Sequence, residues 1–191
     1  MSEIYHHKHH FKNLTHQEIP LGEYEQCHFE DCNFQQANFN DYRFIKCQFS
    51  NCNLNSISLI DTALQQIQFL DCELNNVHFE TCATLGLSFQ FSHCYLHHAS
   101  FYKTKIKKTV FTNCQLQKAD FTNCDLTQAV FEHCDLTQVI FEKTILDKAN
   151  LLTALHFNIN PNINSIKKTQ FSIWGLEGLL TQYDIIVKHN S

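Results

Sequence analysis

The sequence predicts a solenoid, on three observations. From residue 114 to residue 146 it reads CQLQKADFTNCDLTQAVFEHCDLTQVIFEKTIL, in which Leu116, Phe121, Leu126, Phe131, Leu136, Phe141 and Leu146 recur every five residues. Two residues before each stands a small or compact one: Cys114, Ala119, Cys124, Ala129, Cys134, Val139 and Thr144. The same period runs earlier through Tyr24, Phe29, Phe34, Phe39, Phe44, Phe49, Leu54, Leu59, Leu64, Phe69, Leu74 and Phe79. A period of five matches neither the 3.6 residues of an α-helical face nor the alternation of an ordinary strand. Self-similarity at a short fixed period marks units that bury apolar surface only by stacking on their neighbours.

The phrases KADFTNC, CDLTQAVF and CDLTQVIF resemble the pentapeptide-repeat motif A-(D/N)-(L/F)-x-x, with the large residue central and the small one two places earlier. The resemblance covers most of the chain. It implies an all-β solenoid, a right-handed quadrilateral β-helix with four pentapeptides to a coil. The residues test the square independently: Phe91, Phe111 and Phe131 lie 20 apart, as do Leu96, Leu116 and Leu136, and Phe101, Phe121 and Phe141. A 20-residue coil stacks like on like, whereas a 15-residue coil would stack Phe on Leu.

In chain order, residues 1–21 read as a non-repeating N-terminal segment and cap. Pro20, which has no amide hydrogen to leave unpaired, suits an edge. Within that segment His6, His7, His9 and His10 form a cluster of the kind that binds a transition metal or simply solvates a terminus, and no metal is assigned. The repeat is expected over 22–153, as about 26 pentapeptides in 6.5 coils. It breaks near 80–90, where Phe79 and Leu96 are 17 residues apart, three repeats plus two. The extra pair predicts a bulge or short loop at Leu85 and Gly86, the glycine taking the unusual backbone angle. Residues 154–191 read as a C-terminal cap and dimerisation segment: a turn at Asn160 and Pro161, a helix N-capped by Ser172, and a strand over 183–187. Trp174, Leu176, Leu179, Leu180, Ile185 and Val187 are more apolar than a cap requires, which predicts a homodimer through this end.

The ten cysteines occupy the small slot or its continuation through the break. Their spacings of five or ten residues within a coil are unlike those of zinc ligand pairs, so they are read as compact interior fillers. No segment approaches the roughly 18 apolar residues that cross a bilayer, and the start lacks an apolar signal region, so the expectation is a cytoplasmic protein without membrane contact. No nucleophile–base pair, phosphate loop or paired-carboxylate signature is present, which predicts a non-enzymatic binding protein without cofactor. Residues before Leu96 include 11 acidic and 4 basic ones, and those from Leu96 onward 8 acidic and 10 basic, summing to the net −5 of the chain. Glu23, Glu25, Glu30, Asp31, Asp41, Asp61, Asp71, Glu73 and Glu80 form the candidate partner-binding acidic surface. The run Lys103, Lys105, Lys107 and Lys108 reads as a soluble face or as a contact for nucleic acid or an acidic protein. Direct nucleic-acid binding is not expected.

Within the repeat family, the non-repeating start, the GLSF-containing break, the turn NINPNIN and the ending GLLTQYDIIV resemble the Qnr-type quinolone-resistance proteins and the microcin-immunity protein McbG. That resemblance implies a DNA-mimicking homodimer that binds DNA gyrase or topoisomerase IV and protects it from a quinolone or a toxin. The alternative is an interaction scaffold for an unrelated protein partner.

Overall fold

The computed structural model describes residues 4–183 and 185–188. Its strands are Ile4–His7 (β1), His10–Lys12 (β2), Gly22–Glu25 (β3), His28–Glu30 (β4), Arg43–Ile45 (β5), Gln48–Ser50 (β6), Ala63–Gln65 (β7), Ile67–Leu70 (β8), Phe89–Ser92 (β9), Val110–Thr112 (β10), Val130–Glu132 (β11), Asn150–Leu151 (β12) and Gln170–Phe171 (β13). Every pairing is parallel. Strands β1, β3, β5 and β7 build one side of a square coil, and the other nine form the adjacent second side. The third and fourth sides are held by single parallel bridges, such as Asn33 to Asn53 to Glu73 and Ser100 to Asp120 to Ile140. Nine strands on the second side mean eight turns of the solenoid, a rod about 38 Å long at a strand spacing of roughly 4.8 Å.

The five-residue period places each large residue at the middle of a side, pointing inward, and the 20-residue register stacks it on its counterpart. Phe91, Phe111 and Phe131 pair in register, with ring centroids 5.2 and 4.9 Å apart and planes within 8° of parallel. Phe101 and Phe121 stack likewise at 4.8 Å. These rings are buried, and with the leucines they form one continuous core. Stacks of this kind contribute roughly 0.5–1.5 kcal/mol per pair beyond the area they bury.

Corners follow from one backbone feature. Twenty-seven described residues other than glycine have φ between 51° and 67°, nearly all two places after a side's central residue, and none is β-branched. At Phe34 to Ala37 the carbonyl of the first accepts from the amide of the fourth at 2.8 Å, with Gln36 left-handed at φ 58°, the geometry of a type II turn. A left-handed L-residue costs about 1–2 kcal/mol. The N–H of most such residues offsets this by bonding the next coil, as Gln26 does to Ile45 O at 2.8 Å and Asp31 to Ser50 O at 3.1 Å.

The small slot does more than fill space. Where a corner lacks the turn bond, the slot side chain donates to the central carbonyl one coil back: Cys52 to Phe29 O (3.5 Å), Cys72 to Phe49 O (3.4 Å), Cys94 to Phe69 O (3.4 Å) and Cys134 to Phe111 O (3.3 Å). Cys32, Cys52, Cys72, Cys94, Cys114 and Cys134 thus form one column along the rod. Ala37, Ala99 and Ala119 stand at corners that do make the turn bond, so no donor is needed there. All ten cysteines are free thiols and buried.

Both ends correct the sequence-based boundaries. Residues 4–18, read as non-repeating, form a further coil, with Phe11 opposite Phe29 and Thr15 opposite Asn33. Its step is 18 residues instead of 20, which puts it out of phase with the repeat. The buried hydroxyls of Tyr24 and Tyr42 donate to Pro20 O and Ile19 O at 2.6 and 2.7 Å, tying this coil to the wall. At the other end the register continues past residue 153 to Phe171, opposite Leu151, because Asn164 takes the slot and donates to Phe141 O at 2.9 Å.

The cap beyond is a 3-10 helix, Ile173–Leu179, N-capped by Ser172, whose hydroxyl accepts from Gly175 N at 3.1 Å. Ile159 N donates to Gly178 O at 2.8 Å, and a Cβ at Gly178 would strike the Phe157 carbonyl. The expected strand over 183–187 is absent among the described residues: Tyr183 ends a 3-10 turn, Thr181–Tyr183, and 185–187 have no neighbouring strand to pair with. Asp184 lies outside the described residues.

Candidate interaction surfaces

The interior is filled by aromatic and aliphatic side chains, and burial pushes the thiols of Cys47, Cys82 and Cys124 up to about 12. A thiol so raised carries little thiolate at neutral pH, so these three are inert interior groups. The outer faces remain as the places where this molecule can meet a partner.

The fold does not bring the nine candidate acidic residues onto one face. Glu23 and Glu25 lie on the first side and Glu30 on the second, Glu73 is on the third and Glu80 on the fourth. Asp31, Asp41, Asp61 and Asp71 sit at corners with φ of 54°, 67°, 56° and 52°. Aspartate tolerates that conformation, so these four have a backbone reason to be acidic. Several of the charges are also met within the chain: Glu23 by Arg43 at 2.8 Å, Glu30 by Lys12 at 2.8 Å, Asp31 by Lys12 at 3.3 Å and Glu80 by His78 at 2.9 Å. Glu25 accepts from the Tyr5 hydroxyl at 2.8 Å, and Glu73 from Asn55 at 2.6 Å. Asp41 and Asp61 are stacked one coil apart on a single edge, and both are exposed, as is Asp71.

The lysines, by contrast, converge. Lys105, Lys107 and Lys167 project from the first side in the C-terminal coils, and Lys103, Lys108, Lys143, Lys148 and Lys168 occupy its two bounding corners. Among these eight, Lys107 is paired with Asp125 at 3.2 Å. Sequence reasoning saw only the run Lys103 to Lys108. The 20-residue register adds the others, and it could have been applied to charges as it was to phenylalanines.

At 84–88 the two extra residues leave the wall as a short loop. Leu85 is 84% exposed, Gly86 has φ 74°, and Gln65 Nε2 donates to Leu85 O at 3.1 Å while Ser88 Oγ accepts from Gln66 N at 2.8 Å. The loop interrupts the first side after β7 and opens a groove of about 500 Å³ lined by Lys46, Gln48, Gln66, Gln68, Ser88, Gln90, Lys107 and Lys108.

On the third side Asp135 is the most strongly perturbed carboxylate. Partial burial works against ionisation, but hydrogen bonds from Thr137, His156 and Gln117 outweigh it and hold the group down to about 2. This is a structural clasp across three coils, from Gln117 to His156.

The C-terminal end presents apolar surface. Trp174 is 76% exposed and Ile186 86%, and Ile173, Leu176, Ile185 and Val187 are exposed beside them. Leu179 packs on the core and Leu180 is half-buried. No described helix is long and apolar enough to cross a membrane.

Comparison with known proteins agrees with this architecture. Solved structures with the same fold include a trypsin-treated form of QnrB1, a plasmid-mediated fluoroquinolone resistance protein, at 12% identity and TM-score 0.63, covering 98% of this chain and 100% of that one. Full-length QnrB1 matches at 13% identity and TM-score 0.50, covering 95% and 100%. HetL, a pentapeptide repeat protein involved in heterocyst differentiation regulation from the cyanobacterium Nostoc, is 13% identical over 91% of this chain and 88% of its own, with a TM-score of 0.37. No curated protein sequence matches. A family profile described as "Pentapeptide repeat region" matches residues 23–90 and 73–151. Square coil, five-residue side and profile coincide along two thirds of the molecule, and this chain belongs to the pentapeptide-repeat family.

Proposed function

We propose that this chain is a non-enzymatic binding protein that engages a type II topoisomerase, DNA gyrase or topoisomerase IV, and protects it from a quinolone or a toxin. The observation that carries the reading is positional. A loop leaves the wall at the GLSF break, and an apolar end lies at the GLLTQYDIIV terminus, two of the stretches whose sequence resembles the Qnr-type proteins. The acidic residues are spread over four sides and partly neutralised, so the contact rests on rod shape, the loop and local charged edges such as Asp41 with Asp61, and not on a continuous copy of DNA. Two copies join through the exposed C-terminal residues in this reading.

The test is a gyrase supercoiling assay with and without a fluoroquinolone, using the full chain and a variant with 84–88 replaced by a plain pentapeptide corner. Restored supercoiling under drug, reduced in the loop variant, is the expected result. A second reading, a scaffold for an unrelated protein, is favoured by one observation: the charge is split, with acidic residues in the first half and a lysine-rich side in the second. Supercoiling unaffected in both conditions, together with capture of a different partner, would select it.

A further inference from the structure

We propose that His10, His28 and Glu30 form a binding site for a divalent transition cation of the Zn²⁺ class, which clips the first coil of the rod to the second. Strands β2 and β4 pair with His10 opposite His28 and Lys12 opposite Glu30. Residues two apart on a strand face the same way, so these four side chains form a patch on the outer surface of the second side. The rings of His10 and His28 stack with centroids 4.7 Å apart and planes within 5°. One donor atom from each of His10, His28 and Glu30 lies within 4.8 Å of the other two, and His10 Nε2 is 2.7 Å from Glu30 Oε2. Ligands of one zinc ion, at bonds of about 2.0–2.2 Å, stand no more than about 4.4 Å apart. Side-chain rotations that open the His10–His28 stack close the set around an ion that takes the place of the His10–Glu30 contact.

The surroundings support those ligands. Lys12 Nζ holds Glu30 through Oε1 at 2.8 Å, leaving Oε2 for the ion, and has Asp31 Oδ2 at 3.3 Å as a further partner. From the opposite neighbour β6, Ser50 Oγ lies 3.0 Å from His28 Nε2, the kind of outer contact that fixes a ligating imidazole. Two imidazoles and one carboxylate suit Zn²⁺, Co²⁺, Ni²⁺ or Cu²⁺, whereas Mg²⁺ and Ca²⁺ call for oxygen ligands. Three protein ligands leave a further position for water.

The placement gives the site a consequence. β1 and β2 are the end strands of their sheets, each with a neighbour on one flank only, and the first coil is the one with an 18-residue step. An ion held by His10 from that coil and by His28 and Glu30 from the next links the open end of the rod to its body.

The experiment titrates Zn²⁺ into the full chain by calorimetry, follows Co²⁺ by its visible absorption, and records melting with and without Zn²⁺. One ion should bind, with imidazole and carboxylate ligation in the Co²⁺ spectrum, and Zn²⁺ should raise the melting temperature. His28→Ala and Glu30→Gln should each weaken binding at least about tenfold and abolish the Zn²⁺-induced rise in melting temperature, measured against each variant's own metal-free melting temperature. A His7→Ala/His9→Ala double variant should bind as the parent does. Absence of binding, binding unaltered in His28→Ala and Glu30→Gln, or binding lost in the double variant would each overturn the assignment.

Discussion

Cys72 shows what the spacing of a sequence conveys and what it hides. Its position in the five-residue frame marks it as a small interior residue, and it is fully buried. That its thiol donates to Phe49 O at 3.4 Å and Leu70 O at 3.2 Å is not legible, because the need arises from a corner that lacks its turn bond. Cys72→Val keeps the volume but removes the thiol's hydrogen bonds, and should cost about 0.5–1.5 kcal/mol in chemical denaturation. Cys72→Thr should cost less, since Thr144 fills the equivalent slot and donates to Phe121 O at 2.8 Å. Asn164 escaped the same reading: a buried amide does not look like a small slot residue, although it serves the same carbonyl. Asp135 supplies a pH test. Its folded carboxyl is depressed to about 2, against about 3.9 for an ordinary aspartate, so its contribution is complete above about pH 4 and lost as pH falls through about 2. The stability gap between the parent and Asp135→Asn, measured by denaturation across that range, should narrow steadily toward low pH.

At the scale of elements, the loop was visible because an insertion of two residues breaks an otherwise strict frame, and Gly86 was the one residue there suited to a left-handed angle. Gly86→Ala should destabilise by about 1 kcal/mol. The cap is more demanding. Gly175 and Gly178 lie flat against Phe157, and Gly178→Ala should lower the melting temperature more than Gly86→Ala does, because backbone rather than a flexible side chain meets the new methyl group. The coil at the N-terminal end was not legible. Its inward residues include His6, stacked on Tyr24 at 4.9 Å, where the pattern calls for Phe or Leu, and its 18-residue step hides the register of Phe11.

At the scale of the molecule, sequence order concealed the distribution of charge. Acidic residues close together along the chain fall on different sides of a square coil, while lysines 20 or 40 residues apart, such as Lys108, Lys148 and Lys168, fall on one edge. The acidic surface therefore dissolved and the basic one emerged. The proposed dimer belongs to this scale too: Leu176→Glu with Ile185→Glu should convert a dimer to a monomer in light scattering without lowering the melting temperature, since both side chains are already exposed.

The corners have one more consequence. With only 4 glycines in 191 residues, nearly all the corners are turned by residues with side chains, and the wall contains almost no hinge. The molecule is a gauge: it fixes the separation of its loop from its C-terminal end. Removing the 20 residues 111–130 joins Val110 to the equivalent Phe131 and shortens that separation by about 4.8 Å. The chemistry of either terminus stays the same. Such a variant separates reach from surface, and a partner that reads both features at once should lose it even though every contacting side chain is still present.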